Sequence, residues 1–329
     1  MIKKILMVSS ISHRSGGKIY EKMVEQLLSC HANVEIISTG MNPRGRLKYL
    51  RIPFVLLRNF LVSQRKNAHI IIKDIDAALF INPKPVKNIV IVHHIDISFF
   101  PLVPRLIYAA FQKLTLWNIR KFSAIVTVSA YWYNYFINKG YHNVHLIYNA
   151  FDTEEFTISN AQIEKFKQTY HLSDKPIIYL GNCQKVKGVE GVYKALKDID
   201  AYLVTSGEAR VHTPALNLEL SEKEYSLLLK AARVVINMST FKEGWSRTAH
   251  QAMLYKTPVI GSGTGGMREL LEGGEQIICN NITSLKKHVT RLLHDPKEAE
   301  MLGERGYTFA RQFTKERFEK EWTDLIISL

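Results

Sequence analysis

Two successive series of apolar runs, each alternating with helix-like segments, constrain the fold of this 329-residue chain more than any other feature. In the first half "KKILMVSS" reads as a strand and "GGKIYEKMVEQLLSC" as a helix, and "NVEIIST", "AHIIIKD", "NIVIVHH" and "AIVTVS" read as further strands. These runs are continuously apolar rather than alternating, which is the signature of a parallel sheet covered on both faces. "YNAFDTEEF" (148–156) interrupts the pattern, and a second series follows: "PIIYLGN", helix "GVEGVYKALKD", "AYLVTSG", helix "EKEYSLLLKAA", "VVINMS", helix 247–255, "PVIGSG" and helix "MRELLEG". The reading is an α/β chain of two Rossmann-like, doubly wound parallel-sheet domains, 1–150 and 151–312. A last helix is read over 313–329. Ligands in such sheets bind beyond the carboxyl ends of the strands, so the cleft between two such domains is the expected site.

Composition narrows the class. With 46% hydrophobic and 22% charged residues the chain is globular, not disordered. Cys30, Cys183 and Cys279 stand far apart without CxxC spacing. That argues against a disulfide framework or zinc site and fits a reducing, cytoplasmic setting. "MIKKILMVSSIS" reads as a buried first strand rather than a signal peptide, and no apolar run approaches the roughly 18 residues of a membrane span.

The net charge of +14 is uneven: residues 1–150 hold 20 Lys and Arg against 6 Asp and Glu, leaving 24 of each sign from the totals of 44 and 30. A basic first half suits an anionic partner: nucleic acid, anionic lipid or a phosphate-bearing substrate. No nucleic-acid-binding motif accompanies the charge, so nucleic acid is set aside. "RLKYLRIPFVLLRNFLVSQRK" (46–66), with Pro53 suited to a helix start, and "LVPRLIYAAFQKLTLWNIRKF" (102–122) interleave apolar and aromatic residues with Lys and Arg. They suit helices lying on an anionic membrane surface; the competing reading is core-facing helices with snorkelling cations.

Three short stretches carry chemistry. In "ISHRSGGKIYEKM" a strand runs into Ser15, Gly16 and Gly17 and then a helix, where free N–H groups suit a phosphate, although glycines also serve a plain tight turn. In "YLGNCQKVKGVEGV", Lys185 and Lys187 precede Gly188 at a helix start, and two ammonium groups there suit a diphosphate, or are merely solvated. In "FKEGWSRTAHQAMLYKTPVIGSGTGG" (241–266), Glu243 and Gly244 make a turn, Ser246 is a plausible N-cap, and the amides near Arg247 and Thr248 can take a phosphate oxygen. Gln251 follows eight residues after Glu243, and Gly265 and Gly266 bring bare backbone to the next strand end. A carboxylate for sugar hydroxyls beside amides for a diphosphate describes a site for a sugar nucleotide.

These pieces together resemble the retaining GT-B glycosyltransferases of family four, over nearly the whole chain. Such enzymes carry a Glu-x7-Glu motif in a sequence like EGFGxxxxEAMxxGxPVIxxxxGGxxE; here it reads "EGWSRTAHQAMLYKTPVIGSGTGGMRE", with Gln251 in place of the second glutamate. "SGGKIYEKM", "VTVSAYWYNYFINKGY", "YNAFD" and "KGVEGVYKAL" match the other family segments. The resemblance implies that Glu243 contacts the transferred sugar and Lys187 the donor diphosphate, and that the last helix, 313–329, packs back on the first domain. Gly16 and Gly17 would approach the donor phosphate or the acceptor. It implies a histidine facing the donor sugar, for which "IVIVHHID" offers His93 and His94, with His94 favoured; His250 is read as packing. The family's arginine after the strand glycine is Asn182 here, and Lys185 is a candidate to restore the charge. At the ribose position Gln251 can still accept one hydrogen bond from a hydroxyl.

The implied activity is transfer, with retention, of a hexose-type sugar from a nucleoside-diphosphate sugar to a glycan or lipid-diphosphate-linked acceptor. The implied setting is surface polysaccharide or lipopolysaccharide synthesis at the inner face of the cell membrane. No cofactor or metal is expected: "DID" at 74–76 and 198–200 lies away from the glutamate motif. The alternative is a weakly active or inactive relative that assists another transferase, motivated by Asn182 and Gln251.

Overall fold

The structure is a computed structural model that describes residues 4–10, 16–39 and 52–329. Residues 46–51 of the first basic segment, and Ser15 of the first glycine turn, lie outside the described residues. The chain divides into two compact units, Met1–Asn149 with Glu316–Leu329, and Ala150–Lys315.

In the first unit the order is β1 (Lys4–Ser9), α1 (Gly16–Ser29), β2 (Asn33–Ser38), α2 (Ile52–Ser63), β3 (Ile70–Asp74), β4 (Lys87–Val92), α3 (Leu102–Ile119), β5 (Ala124–Thr127), α4 (Ala130–Asn138) and β6 (Val144–Leu146). All pairings are parallel and the sheet order is β2-β1-β3-β4-β5-β6. β1, β3, β4 and β5 are buried almost throughout, as their unbroken apolar runs require. One core cluster joins Val90, Val92, Ile119, Phe122, Ile125 and Phe136. The C-terminal helix, numbered α12 (Lys315–Ser328), closes this unit against α1. Tyr20 sits edge-on to Phe318 at 5.2 Å, Trp322 Nε1 donates to Tyr20 Oη at 3.2 Å, and Tyr20 donates to the Ile147 carbonyl at 3.0 Å.

The second unit runs α5 (Asn160–Thr169), β7 (Ile177–Asn182), α6 (Val189–Leu196), β8 (Tyr202–Ser206), β9 (Leu216–Leu218), α7 (Glu222–Ala231), β10 (Val234–Asn237), α8 (Arg247–Leu254), β11 (Val259–Gly261), α9 (Met267–Gly273), β12 (Ile277–Ile278), α10 (Ile282–His294) and α11 (Pro296–Ala310). Its sheet order is β12-β11-β10-β7-β8-β9, again all parallel. Side chains set the helix starts. Ser159 with Gln162, and Ser221 with Glu224, form reciprocal capping boxes on α5 and α7, and Asp295 caps α11 with Pro296 in its first turn. Helices α6 and α10 cover one face of the sheet through Val189, Val192, Leu196, Leu285, Val289 and Leu292, all fully buried.

Candidate active site

The strand order of the second sheet creates the site. After β7 the chain turns to β8 on one side, while β10 lies against β7 on the other, so the loops leaving β7 and β10 stand side by side at the carboxyl edge. The β7 loop forms a 3-10 turn over Lys185–Lys187 and closes through Gly188 at φ 71°. A Cβ on Gly188 would lie 2.4 Å from the Met238 carbonyl oxygen of the β10 loop, and Thr240 N–H donates to the Val186 carbonyl at 2.9 Å. Only glycine permits this approach.

That contact brings Lys187 to Glu243. Lys187 Nζ and Ser239 Oγ both donate to Glu243 Oε1, and Glu243 is 3% exposed. A third loop, leaving β11, interlocks with them. Gly265 (φ 63°) pairs with Glu243 in an isolated parallel bridge, Gly266 N–H donates to the Glu243 carbonyl at 2.9 Å, and Thr264 Oγ1 donates to the Phe241 carbonyl at 2.9 Å. Three loops therefore fix the backbone and the carboxylate of Glu243.

Helix α8 starts in the same place. Asn237 Nδ2 donates to Ser246 Oγ, which accepts from Ala249 N–H as the N-cap. The Arg247 guanidinium lies 4.2 Å over the Phe151 ring, and burial pulls its pKa down to about 10. Thr248 Oγ1 and Tyr225 Oη share a 3.0 Å hydrogen bond. Gln251 is half-buried in mid-helix and its side chain makes no hydrogen bond among the described residues. Asn182 accepts from Tyr179 Oη at 3.1 Å, and Tyr179 also bonds Ser206 Oγ at 2.7 Å. Lys185, offered above as a replacement charge, is exposed and without a side-chain partner among the described residues. Sequence reasoning passed over Ser239, Tyr179 and Tyr225; each stands on or just beyond an apolar segment, where it reads as core.

In the first unit Gly16 and Gly17 are the opening residues of α1. A Cβ on Gly17 would lie 2.8 Å from His93 Cδ2, so His93 packs on the start of that helix, edge-on to Tyr20 at 5.3 Å. His94 is half-buried and its ring stands 6.4 Å from Phe99. Below them lies a cluster the motifs did not announce. Glu21, 4% exposed, accepts from Ser9 Oγ at 2.7 Å and stands 3.6 Å from Lys18 Nζ and 3.9 Å from His93 Nε2. Burial and then the neighbouring Asp74 push its carboxyl up to about 7. A signal existed: Glu21 shares the helix stripe of Val24 and Leu28, which are buried. Asp74, from the first "DID", accepts from Ser10 Oγ at 2.6 Å and Ala77 N–H at 2.7 Å.

His250 is fully buried. Its Nδ1 accepts from Trp245 Nε1 at 2.9 Å, so Nε2–H donates to the Ala310 carbonyl at 3.0 Å, and burial lowers its pKa to about 3. It packs against Phe151 and Phe313, which matches the packing role read from the sequence. His250 and Glu21 give opposite pH dependences. Below about 6.5 the unfolded His250 gains a proton that the folded one refuses, so its contribution falls as pH falls. From about 4.5 to 7 the folded Glu21 keeps a proton that the unfolded one releases, so its contribution falls as pH rises. Each slope reaches about 1.4 kcal/mol per pH unit. In denaturant titrations from pH 5 to 7, the parent is expected to lose stability relative to Glu21→Gln as pH rises. Relative to His250→Gln it loses stability toward pH 5. Slopes that match the parent in both variants would refute the assignments.

With this geometry in view, the likeness to known proteins is specific. Residues 160–309, most of the second unit, match the family described as glycosyl transferases group 1. Among curated proteins the chain is 25% identical over 199 residues to the N-acetyl-alpha-D-glucosaminyl L-malate synthase of Bacillus anthracis, covering 54% of this chain and 51% of that one. The chain spans about half the length of the curated relatives it matches. Among solved structures it is similar to Anabaena Alr3699/HepE in complex with UDP-glucose, with TM-score 0.80, 17% identity, and 99% and 100% of the two chains covered. It is also similar to WaaG, a glycosyltransferase involved in lipopolysaccharide biosynthesis, with TM-score 0.73, 13% identity, and 99% of each chain covered. The fold is GT-B, two parallel-sheet α/β domains with six strands each among the described residues; the two apolar series had implied the two doubly wound domains, and the family resemblance the GT-B arrangement.

Proposed function

We propose that this chain is a retaining glycosyltransferase. It moves a hexose-type sugar from a nucleoside-diphosphate sugar to a glycan or lipid-diphosphate-linked acceptor in surface polysaccharide or lipopolysaccharide synthesis, at the inner face of the membrane and without a bound metal. The observation that carries the reading is the Lys187–Glu243 pair, a half-buried cation on a buried carboxylate, at the switch point of the second sheet and held by three loops. A cation beside a carboxylate suits the two ends of such a donor. Lys187 receives the diphosphate and stabilises it as it leaves, while Glu243 accepts hydrogen bonds from sugar hydroxyls. The amides that open α8 take a further phosphate oxygen. Gln251 offers its amide oxygen to the ribose, and His94 and the Gly16–Gly17 start of α1 are the first unit's own candidates for contacting substrate. The UDP-glucose held by the Anabaena relative and the lipopolysaccharide role of WaaG support a donor and an acceptor of these kinds.

Donor binding tests this directly. Folded-state binding stabilises by about 2.7 kcal/mol when ligand is a hundredfold above Kd. One sugar nucleotide of a panel, without metal, is expected to raise the melting midpoint of the parent, and Lys187→Ala to lose the shift relative to its own unliganded midpoint. The specific observation favouring the alternative, an assisting partner of another transferase, is that Asn182 and Gln251 carry no charge. A panel without a responder would leave that alternative standing and the proposed activity refuted.

A further inference from the structure

We infer that α2 and α3 together form a docking face for an anionic lipid bilayer. This deepens the membrane part of the reading above and rests on the surface of the first unit alone. Helix α3 is apolar on two sides. Thr115 and Ile119 are buried against the sheet. On the opposite side Leu102, Val103, Leu106, Ile107, Leu114 and Trp117 are 48–68% exposed. At 3.6 residues per turn these six fall within an arc of about 140°. An exposed stripe of that width on a folded protein marks an interaction surface. Helix α2 repeats the arrangement: Val62 is buried, while Phe54, Leu57, Phe60 and Leu61 are 44–72% exposed. The two faces are continuous through one loop. The Phe60 ring meets Phe80 at 5.5 Å, and Asn118 at the end of α3 donates to the Leu79 carbonyl at 2.6 Å.

Charge selects the occupant. Residues 36–73, which include α2, hold eight Lys and Arg and no Asp or Glu, and residues 97–151, which include α3, hold five and none. Lys113 is exposed beside Leu114, and Lys121 Nζ lies 4.0 Å over the Trp117 ring. A second copy docked here would set one basic surface against another, whereas anionic headgroups supply the opposite charge and acyl chains accept the apolar stripe. An aromatic ring paired with a cation suits the headgroup level. No helix among the described residues is long and apolar enough to cross a membrane, so the helices lie on the surface. The face also reaches the His94 loop: Phe99 neighbours His94, and Phe100 stacks on Tyr108 of α3 at 4.5 Å. A bilayer docked on α3 therefore lies beside the loop where a lipid-linked acceptor would present its headgroup.

The test is sedimentation of the full chain with phosphatidylcholine vesicles, with and without phosphatidylglycerol. Trp117 serves as a fluorescent reporter, since Trp132, Trp245 and Trp322 are buried. Binding and a blue shift are expected only with phosphatidylglycerol. The pair Leu106→Glu and Leu114→Glu, both at exposed positions, is expected to lower binding by about tenfold or more while leaving the melting midpoint unchanged. Because no donor is added, failure here is distinguishable from failure of the proposed transferase activity. Parent binding that ignores phosphatidylglycerol, or is retained in a normally folded double variant, overturns the inference. So does a dimer that the same variant dissolves, which would assign the face to a second copy.

Discussion

Glu243→Gln is expected to lower turnover by about a hundredfold to a thousandfold, the loss typical of removing one preorganised electrostatic group, with little change in the melting midpoint. The substitution keeps the side chain's shape and leaves an amide oxygen for Ser239 Oγ and Lys187 Nζ, which both donate to Oε1 in the parent. What it removes is the negative charge, and with it half of the carboxylate's capacity to accept hydrogen bonds. Donor affinity moves less than turnover, or even rises, because Lys187 no longer divides its attraction between Glu243 and the diphosphate. Single-turnover assays separate binding from transfer. A Glu243→Gln protein that transfers sugar at the parental rate would sink the role given to this residue.

Gly265→Val is expected to damage the second unit severely, lowering its stability by about 2–5 kcal/mol. Two penalties combine. Gly265 sits at φ 63°, which a β-branched residue strongly resists, and its Cβ would lie 2.4 Å from the Glu243 carbonyl oxygen and 2.7 Å from the Glu243 nitrogen. Neither neighbour can step aside, since both are backbone atoms tied into the bridge between the two loops. The melting midpoint should fall by about 5–15 °C for a unit of this size. Gly207→Ala provides the comparison: φ is 77°, but the nearest neighbour of a new Cβ is Asn182 Nδ2 at 3.6 Å, so conformational strain acts alone. If Gly265→Val melts no lower than Gly207→Ala, the close packing of the glycine loop on Glu243 is not what holds this corner together.

The parallel sheets were legible because burial on both faces demands unbroken apolar runs, and "KILMVS", "IIIKD" and "IIYLGN" display them. Strands β6, β9 and β12, of three, three and two residues, are too short to show any period and went unread. Helices α10 and α11 also went unread, although Asn281 and the Asp295–Pro296 pair are ordinary start signals. Glu243, Lys187 and the glycine loop stood out by residue type and spacing. Their mutual contact did not, because Lys187 and Glu243 are 56 residues apart and meet only through the β10-β7 neighbourhood in the sheet. The same holds for Arg247 over Phe151, and for Glu21 beneath His93. The exposed side of α3 was partly legible: its composition suggested a membrane helix or a core helix, and one sequence cannot say which apolar residues the sheet will cover.

The placement of α12 has a consequence for how the chain is made. The first unit comprises residues before Ala150 and after Lys315, and its core includes Trp322 and Phe318 packed on Tyr20. The second unit is an insertion whose two ends are already joined, Phe151 N–H donating to the Phe313 carbonyl at 3.2 Å and bridging to Thr314. During vectorial synthesis all of residues 150–315 are therefore joined to the chain before the last helix of the first unit. The residues of the inserted unit form one continuous stretch of the chain. The unit that begins the chain must wait, with the Tyr20 side of α1 uncovered, until translation reaches Trp322.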